Sequence, residues 1–197
     1  MGSNLVIVVG PTAVGKTDVC IKLAKKLDSE VFSCDSRQLY KEMSIGTAKP
    51  TLQEMEGVAH HFVDSHSVKE HYSAGDYERD AEILLKNYVK EKEVAIMSGG
   101  TGLFVKAITH GLDNMPDAPL ELRNILMERL QNEGLEILKE ELRVLDPQAL
   151  EEIDNLNSQR IVRALEVCLS TGKTFTSFKN KSYKTPQFNF IKIGIER

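Results

Sequence analysis

At 197 residues, 41% hydrophobic and 27% charged, the chain can bury one good core plus a smaller appendage and has the balance of an ordinary globular protein. Its early apolar run, residues 5–9, is far too short for a bilayer and lacks the flanks of a signal peptide, so no membrane association is expected. Cys20, Cys34 and Cys168 make no disulfide pattern, which predicts a reducing, cytoplasmic setting.

The net charge of −4 is unevenly spread. Eight Lys and Arg (Arg160, Arg163, Lys173, Lys179, Lys181, Lys184, Lys192, Arg197) face only Glu166 and Glu196 between 157 and 197, a segment of +6 beside −10 for the rest. Such asymmetry permits a polyanion partner, although a solvated lysine-rich surface has the same composition.

In chain order, residues 4–9 predict a buried parallel strand. A glycine loop follows. Residues 16–27 then carry helical periodicity through Val19, Ile21, Leu23, Ala24 and Leu27. A short strand is expected over 31–34, ending at Asp35. Ser73-Ala74-Gly75-Asp76 predicts a capped helix reaching about residue 90. A second buried strand over 93–97 meets Ser98-Gly99-Gly100-Thr101-Gly102, with a helix over 103–110 after it. Alternation of strands and helices implies an α/β fold with a parallel sheet. Pro116 and Pro119 mark a boundary. Beyond it, the stripes Leu122, Ile125, Leu126, Leu130 and Leu135, Leu138, Leu142, Leu145 predict a helical hairpin turning at Gly134. Asn157 caps a further helix ending at Gly172, and residues 188–195 read as a strand returning to the sheet.

The motif Gly10-Pro11-Thr12-Ala13-Val14-Gly15-Lys16-Thr17 stands between a strand and a helix, the context a P-loop requires. Its glycines allow backbone N–H groups to surround phosphate oxygens. Lys16 brings a point charge, and the Thr17 hydroxyl is placed to ligate Mg²⁺. Asp35, at the carboxyl end of the next strand, suits a general base or an Mg²⁺ partner, and equally an Asx-turn. Thr101 can donate to a phosphate oxygen, while its glycine-rich setting also fits a plain turn. His60 and His61 point to opposite faces of an extended segment and are read as structural rather than as a metal pair.

The blocks Gly10–Thr17, Asp35-Ser36-Arg37-Gln38-Leu39-Tyr40, Ile45-Gly46-Thr47-Ala48-Lys49-Pro50, His60-His61-Phe62-Val63-Asp64, Gly99-Gly100-Thr101-Gly102-Leu103 and Ser158-Gln159-Arg160-Ile161-Val162-Arg163-Ala164-Leu165-Glu166 together resemble the tRNA dimethylallyltransferase (tRNA isopentenylpyrophosphate transferase) family. The resemblance implies a P-loop NTPase-like core over 1–115, an inserted helical tRNA-binding domain over 116–185, and a return to the core over 186–197. It implies transfer of a dimethylallyl group from its diphosphate to the exocyclic amine of the adenosine 3′ of the anticodon. Asp35 is then the general base, with Ser36, Arg37 and Gln38 against the extruded base. Gly10–Thr17 grips the diphosphate with Mg²⁺, helped by Thr101. Arg123, Gln159, Arg160, Ile161, Val162 and Arg163 contact a tRNA anticodon loop, and the protein is expected to be a monomer. Members of that family run well past the length of this chain, so further tRNA contacts and core structure are expected outside it. Three other readings stay open: a small-molecule P-loop kinase, an adenylate prenyltransferase, and a non-catalytic RNA-binding fragment.

Overall fold

The computed structural model describes residues 3–179 and 188–196. Of the basic segment, Lys181, Lys184 and Arg197 therefore lie outside the described residues. The chain divides into two compact units, one of Met1–Leu112 with Lys184–Arg197 and one of Asp113–Tyr183.

In the first unit β1 (Asn4–Val9) leads into α1 (Lys16–Leu27) and β2 (Val31–Ser33). A short helix α2 (Leu52–Met55) and the two-residue β3 (His60–His61) follow, then α3 (Ala74–Tyr88), β4 (Val94–Gly99) and α4 (Gly102–His110). The unit closes with β5 (Asn189–Gly194). Among the described residues these strands form one parallel sheet in the order β3-β2-β4-β1-β5.

Side-chain alternation divides the strands between two cores. Val6 and Val8 pack with Cys20 and Ala24 of α1. Leu5 and Ile7 pack on the other face with Tyr77, Ala81 and Leu85 of α3 and with Phe104 of α4. β1 and β2 are consecutive, yet β4 lies between them. Its register pairs Val9 with Gly99 and Ser33 with Ser98. The loops after β1, β2 and β4 therefore leave the sheet at one edge, where open α/β sheets bind ligands.

The strand expected over 93–97 extends to Gly99, because residue 99 still pairs with β1. Glycine is required there by space. A Cβ at position 99 would stand 2.5 Å from the Cys34 carbonyl carbon and 2.8 Å from the Asp35 nitrogen. Beneath that contact the Tyr77 ring stacks on Phe104 at 3.9 Å, and its hydroxyl donates to the Ser33 carbonyl at 3.0 Å. α3 starts where the Ser73–Asp76 signal places it. Ser73 Oγ accepts from the Asp76 N–H, and the Asp76 carboxylate accepts from the Ser73 N–H.

The second unit contains α5 (Leu120–Glu133), α6 (Leu135–Leu145), α7 (Pro147–Glu152), α8 (Ser158–Thr171) and a 3-10 turn (Phe175–Phe178). The hairpin turns at Gly134, whose φ of 87° favours glycine. Leu126, Leu138 and Leu142 are buried with Ile161, Val162, Leu165 and Cys168. Ile125 and Leu145 of the two stripes are instead exposed. Sequence periodicity missed α2 and α7, both shorter than two turns. They form through their caps: Thr51 with Glu54 in a capping box, and Asp146 ahead of Pro147. Asp146 is buried and also accepts from Thr176 N and Oγ1, at 2.8 and 3.1 Å.

Replacing Gly99 with Ala should lower stability by about 1–3 kcal/mol, because the atoms its Cβ would meet are backbone and not the yielding end of a flexible side chain. Gly102→Ala, with open space around its Cβ, should be neutral or stabilising. Urea unfolding of both variants tests the contrast, and equal midpoints would remove the argument.

Candidate active-site cleft and arginine cluster

The loop edge of the sheet opens into a cleft of about 370 Å³ within the first unit. Thr12, Ala13, Gly15, Lys16 and Thr17 line one side, Ser33, Asp35 and Gln38 another, and Thr47–Pro50 with Glu54 and His60 a third.

The glycines of the P-loop are needed for different reasons. Gly15 adopts φ 97° with open space around it, so conformation decides there. At Gly10 a Cβ would lie 2.3 Å from the Ile195 carbonyl oxygen, so space decides. Val14 packs against Gly10 rather than lining the cleft. Lys16 Nζ donates to the carbonyls of Gly10 at 2.9 Å and Pro11 at 2.6 Å, drawing the loop around the ammonium. These are neutral acceptors, which an anion would displace at small cost.

Asp35 forms the Asx-turn considered from sequence: Oδ1 accepts from the Arg37 N–H at 3.0 Å. The turn and the cleft position coexist, since the residue also lines the cavity. Thr101 lies behind this loop rather than among the cleft-lining residues. Its Oγ1 accepts the Ser36 N–H at 2.9 Å and gives its one proton to Ser36 Oγ at 3.2 Å. Its own N–H donates to the Cys34 carbonyl at 3.2 Å. Thr101 thus fastens the turn after β4 to the turn after β2. Arg37 is exposed outside the cavity. Beneath Asp35, burial pushes the Cys34 thiol up to about 12, so it stays neutral.

Sequence reading assigned no role to the third wall. Gln38 holds it with both ends of its amide: Oε1 accepts from Ser33 Oγ at 3.0 Å, and Nε2 donates to the carbonyls of Thr47 at 3.3 Å and Ala48 at 3.0 Å. Lys49, with a side chain only 6% exposed, donates to the Tyr40 carbonyl at 2.7 Å and pairs with Asp64 at 2.5 Å. The two histidines diverge as expected, but their surroundings differ. His61 bonds Glu30 at 2.6 Å. His60 lines the cleft, where burial lowers its pKa. Its Nδ1 faces the Val58 carbonyl at 2.9 Å, so that nitrogen carries the proton and Nε2 is left as an acceptor.

Among the described residues no group of three His, Cys, Asp or Glu could hold a metal ion. Thr17 in the cleft fits Mg²⁺, an ion that takes few protein ligands and completes its shell with phosphate and water. No described helix is long and apolar enough to cross a membrane.

In the second unit Asn157 caps α8, its side chain accepting from the Arg160 N–H. Ile161 and Val162 are completely buried in the helical core. Their side chains pack, so the expected contact surface shrinks to the polar positions of that motif. Arg123 and Arg163 both bond Glu166, at 3.0 Å each, and Arg123 also reaches Gln159 at 3.4 Å. Glu166, which the sequence shows as the end of the Ser158–Glu166 block and as a charge in a basic segment but to which it assigns no role, is the centre of this cluster.

Gln38→Leu should leave two backbone carbonyls without their donor and cost about 1–2 kcal/mol. In urea unfolding its midpoint should fall below that of wild type, whereas Arg37→Leu, at an exposed position, should not move it.

Residues 38–197 match the model of the IPP transferase family. The P-loop and Asp35 precede that segment, but relatives cover them. A tRNA dimethylallyltransferase of Christiangramia forsetii is 45% identical over 195 residues, 99% of this chain and 64% of that protein. One from Cytophaga hutchinsonii is 45% identical over 191 residues, 97% of this chain and 63% of the relative. The chain therefore spans less than two thirds of their length. Among solved structures, the tRNA isopentenylpyrophosphate transferase of Bacillus halodurans is similar with a TM-score of 0.59 and 37% identity, over 98% of this chain and 59% of that one. A eukaryotic dimethylallyltransferase solved acting on tRNA gives a TM-score of 0.80 at 25% identity, over 98% of this chain and 48% of the other. On the family match and these identities, the chain belongs to the IPP transferase family.

Proposed function

We propose that this chain provides the donor cleft and part of the RNA-binding surface of a tRNA dimethylallyltransferase. One observation carries the reading: Lys16 and Thr17 of the P-loop line the same cavity as Asp35. A cation that stabilises a leaving diphosphate and a carboxylate that accepts a proton are the two groups such a transfer needs.

The adenine amine is a weak nucleophile because its lone pair is delocalised into the ring. As the bond from nitrogen to the allylic carbon forms, the bond from that carbon to the diphosphate oxygen breaks. The amine proton passes to the Asp35 carboxylate and from there to solvent. Asp35 increases the nucleophilicity of the nitrogen at the moment of attack. Lys16 exchanges the carbonyls of Gly10 and Pro11 for diphosphate oxygens, and the loop N–H groups share the developing charge. Mg²⁺, held by Thr17, supplies further charge neutralisation to the diphosphate when bound. Ser36 and Thr101 hold the segment that bears Asp35, and Gln38 holds the wall beside it. The base reaches such a cavity by leaving its stack, which costs least in a loop. Arg123, Gln159, Arg160 and Arg163 bind the RNA backbone.

The test incubates the protein with labelled dimethylallyl diphosphate, Mg²⁺ and either unmodified tRNA or adenosine monophosphate. Label should enter tRNA. Label in the monophosphate alone would identify an adenylate prenyltransferase, and phosphate moved from ATP to a small alcohol a kinase. Asp35→Asn should retain diphosphate binding while transfer falls by about two orders of magnitude or more. Lys16→Ala should lose diphosphate binding itself, as read by calorimetry.

A further inference from the structure

The carboxylate of Glu166 is 1% exposed and accepts from two guanidinium groups, Arg123 through Oε1 and Arg163 through Oε2, each at 3.0 Å. The arginines come from different helices, α5 and α8. Each has a second tether, Arg123 to Gln159 Oε1 at 3.4 Å and Arg163 to the Pro116 carbonyl at 2.9 Å. Both remain partly exposed, with side-chain accessibilities of 41% and 33%. The carboxylate is thus hidden while the cations it holds face outward.

A buried carboxylate is an expensive way to join two helices, and an apolar pair of similar volume generally serves stability as well or better. What an apolar pair cannot do is fix two guanidinium planes next to each other. Free arginines on a surface repel and spread; joined through one carboxylate they are held as a pair with net charge +1. An arginine constrained in this way loses less entropy on binding and offers its remaining N–H groups in a fixed array, which suits tetrahedral phosphate oxygens.

We propose that Glu166 is a positioning residue that sets Arg123 and Arg163 as a single clamp for one RNA backbone phosphate. This rests on the RNA-binding reading above. It goes beyond that reading in assigning the function to a buried acid, and in making the two arginines one unit rather than two contacts.

The proposal predicts a sign opposite to that of simple charge. Glu166→Gln removes a negative charge from an RNA-binding surface, so long-range electrostatics alone would tighten binding. A positioning role predicts weaker binding. The measurement is fluorescence anisotropy of a labelled RNA hairpin with an adenosine-rich loop, titrated with wild type and Glu166→Gln across a salt series. Affinity at moderate salt should fall roughly threefold to tenfold, and the slope of log K against log salt should lessen by about one phosphate contact. Equal or tighter binding by the folded variant would overturn the clamp. Because Glu166 is buried, its loss could also prevent folding, so a second set of variants is measured alongside. Arg123→Gln, Arg163→Gln and the double variant should show strong non-additivity, the second substitution adding little to the first. Additive losses would show two separate contacts and also overturn the clamp. If wild type binds no RNA, the RNA-binding reading fails and the clamp with it. If wild type binds and Glu166→Gln binds equally well, only the clamp fails.

Discussion

The first unit is organised around one close contact, the backbone of Gly99 lying directly against the backbone from Cys34 to Asp35. No side chain fits between them. Parallel pairing of β4 with both β1 and β2 brings their carboxyl ends to one level, and Gly99 lets the last of them approach without a gap. The consequences reach outward from there. Thr101 can take the Ser36 N–H only because the two turns are this close, and Asp35 faces the cleft as part of the segment so fastened. Tyr77 supports the same strand end from below through the Ser33 carbonyl. The proton transfer proposed for Asp35 requires a carboxylate held within a fraction of an ångström of its working position. Here the constraint is mostly backbone against backbone, with no flexible side-chain end in the contact to give way.

Charge is used in two ways. In the cleft, Lys16 rests on neutral carbonyls, so its charge is available for an incoming anion. Lys49, nearly buried nearby, is matched by Asp64, so its charge is spent on holding the third wall. The cluster around Glu166 combines both arrangements, since one hidden carboxylate offsets half of the positive charge that it orients. A lysine count places these residues in one class. Their partners separate them.

Much of this was legible in one dimension where the signal is local. The P-loop, the Ser73–Asp76 cap, the turn at Gly134 and the stop at Gly172 each depend on residues within a few positions of one another, and each is found where the pattern puts it. Short helices without apolar periodicity, α2 and α7, had no such signal beyond their caps. Thr101 and Glu166 were understood only in part, because partners that define them are far away in the chain: Thr101 and Ser36 are 65 positions apart, Arg123 and Glu166 43. Gln38 bonds residues no more than ten positions away, but through an irregular loop that no helix or strand period describes.

The sequence by itself determined the α/β alternation, the loop that can surround a phosphate, and the family to which these blocks belong. Those follow from local conformational preference, hydrophobic period and the order of motifs. Tertiary structure decided how the chemistry is shared. It made Thr101 a fastener and Gln38 a support for the cleft wall, buried Ile161 and Val162, and turned Glu166 into the centre of an arginine pair. The physical reason is the same in each case. A polar side chain has few donors and acceptors, and which partners occupy them depends on what folding brings within 3 Å or so, a distance that no spacing along the chain encodes.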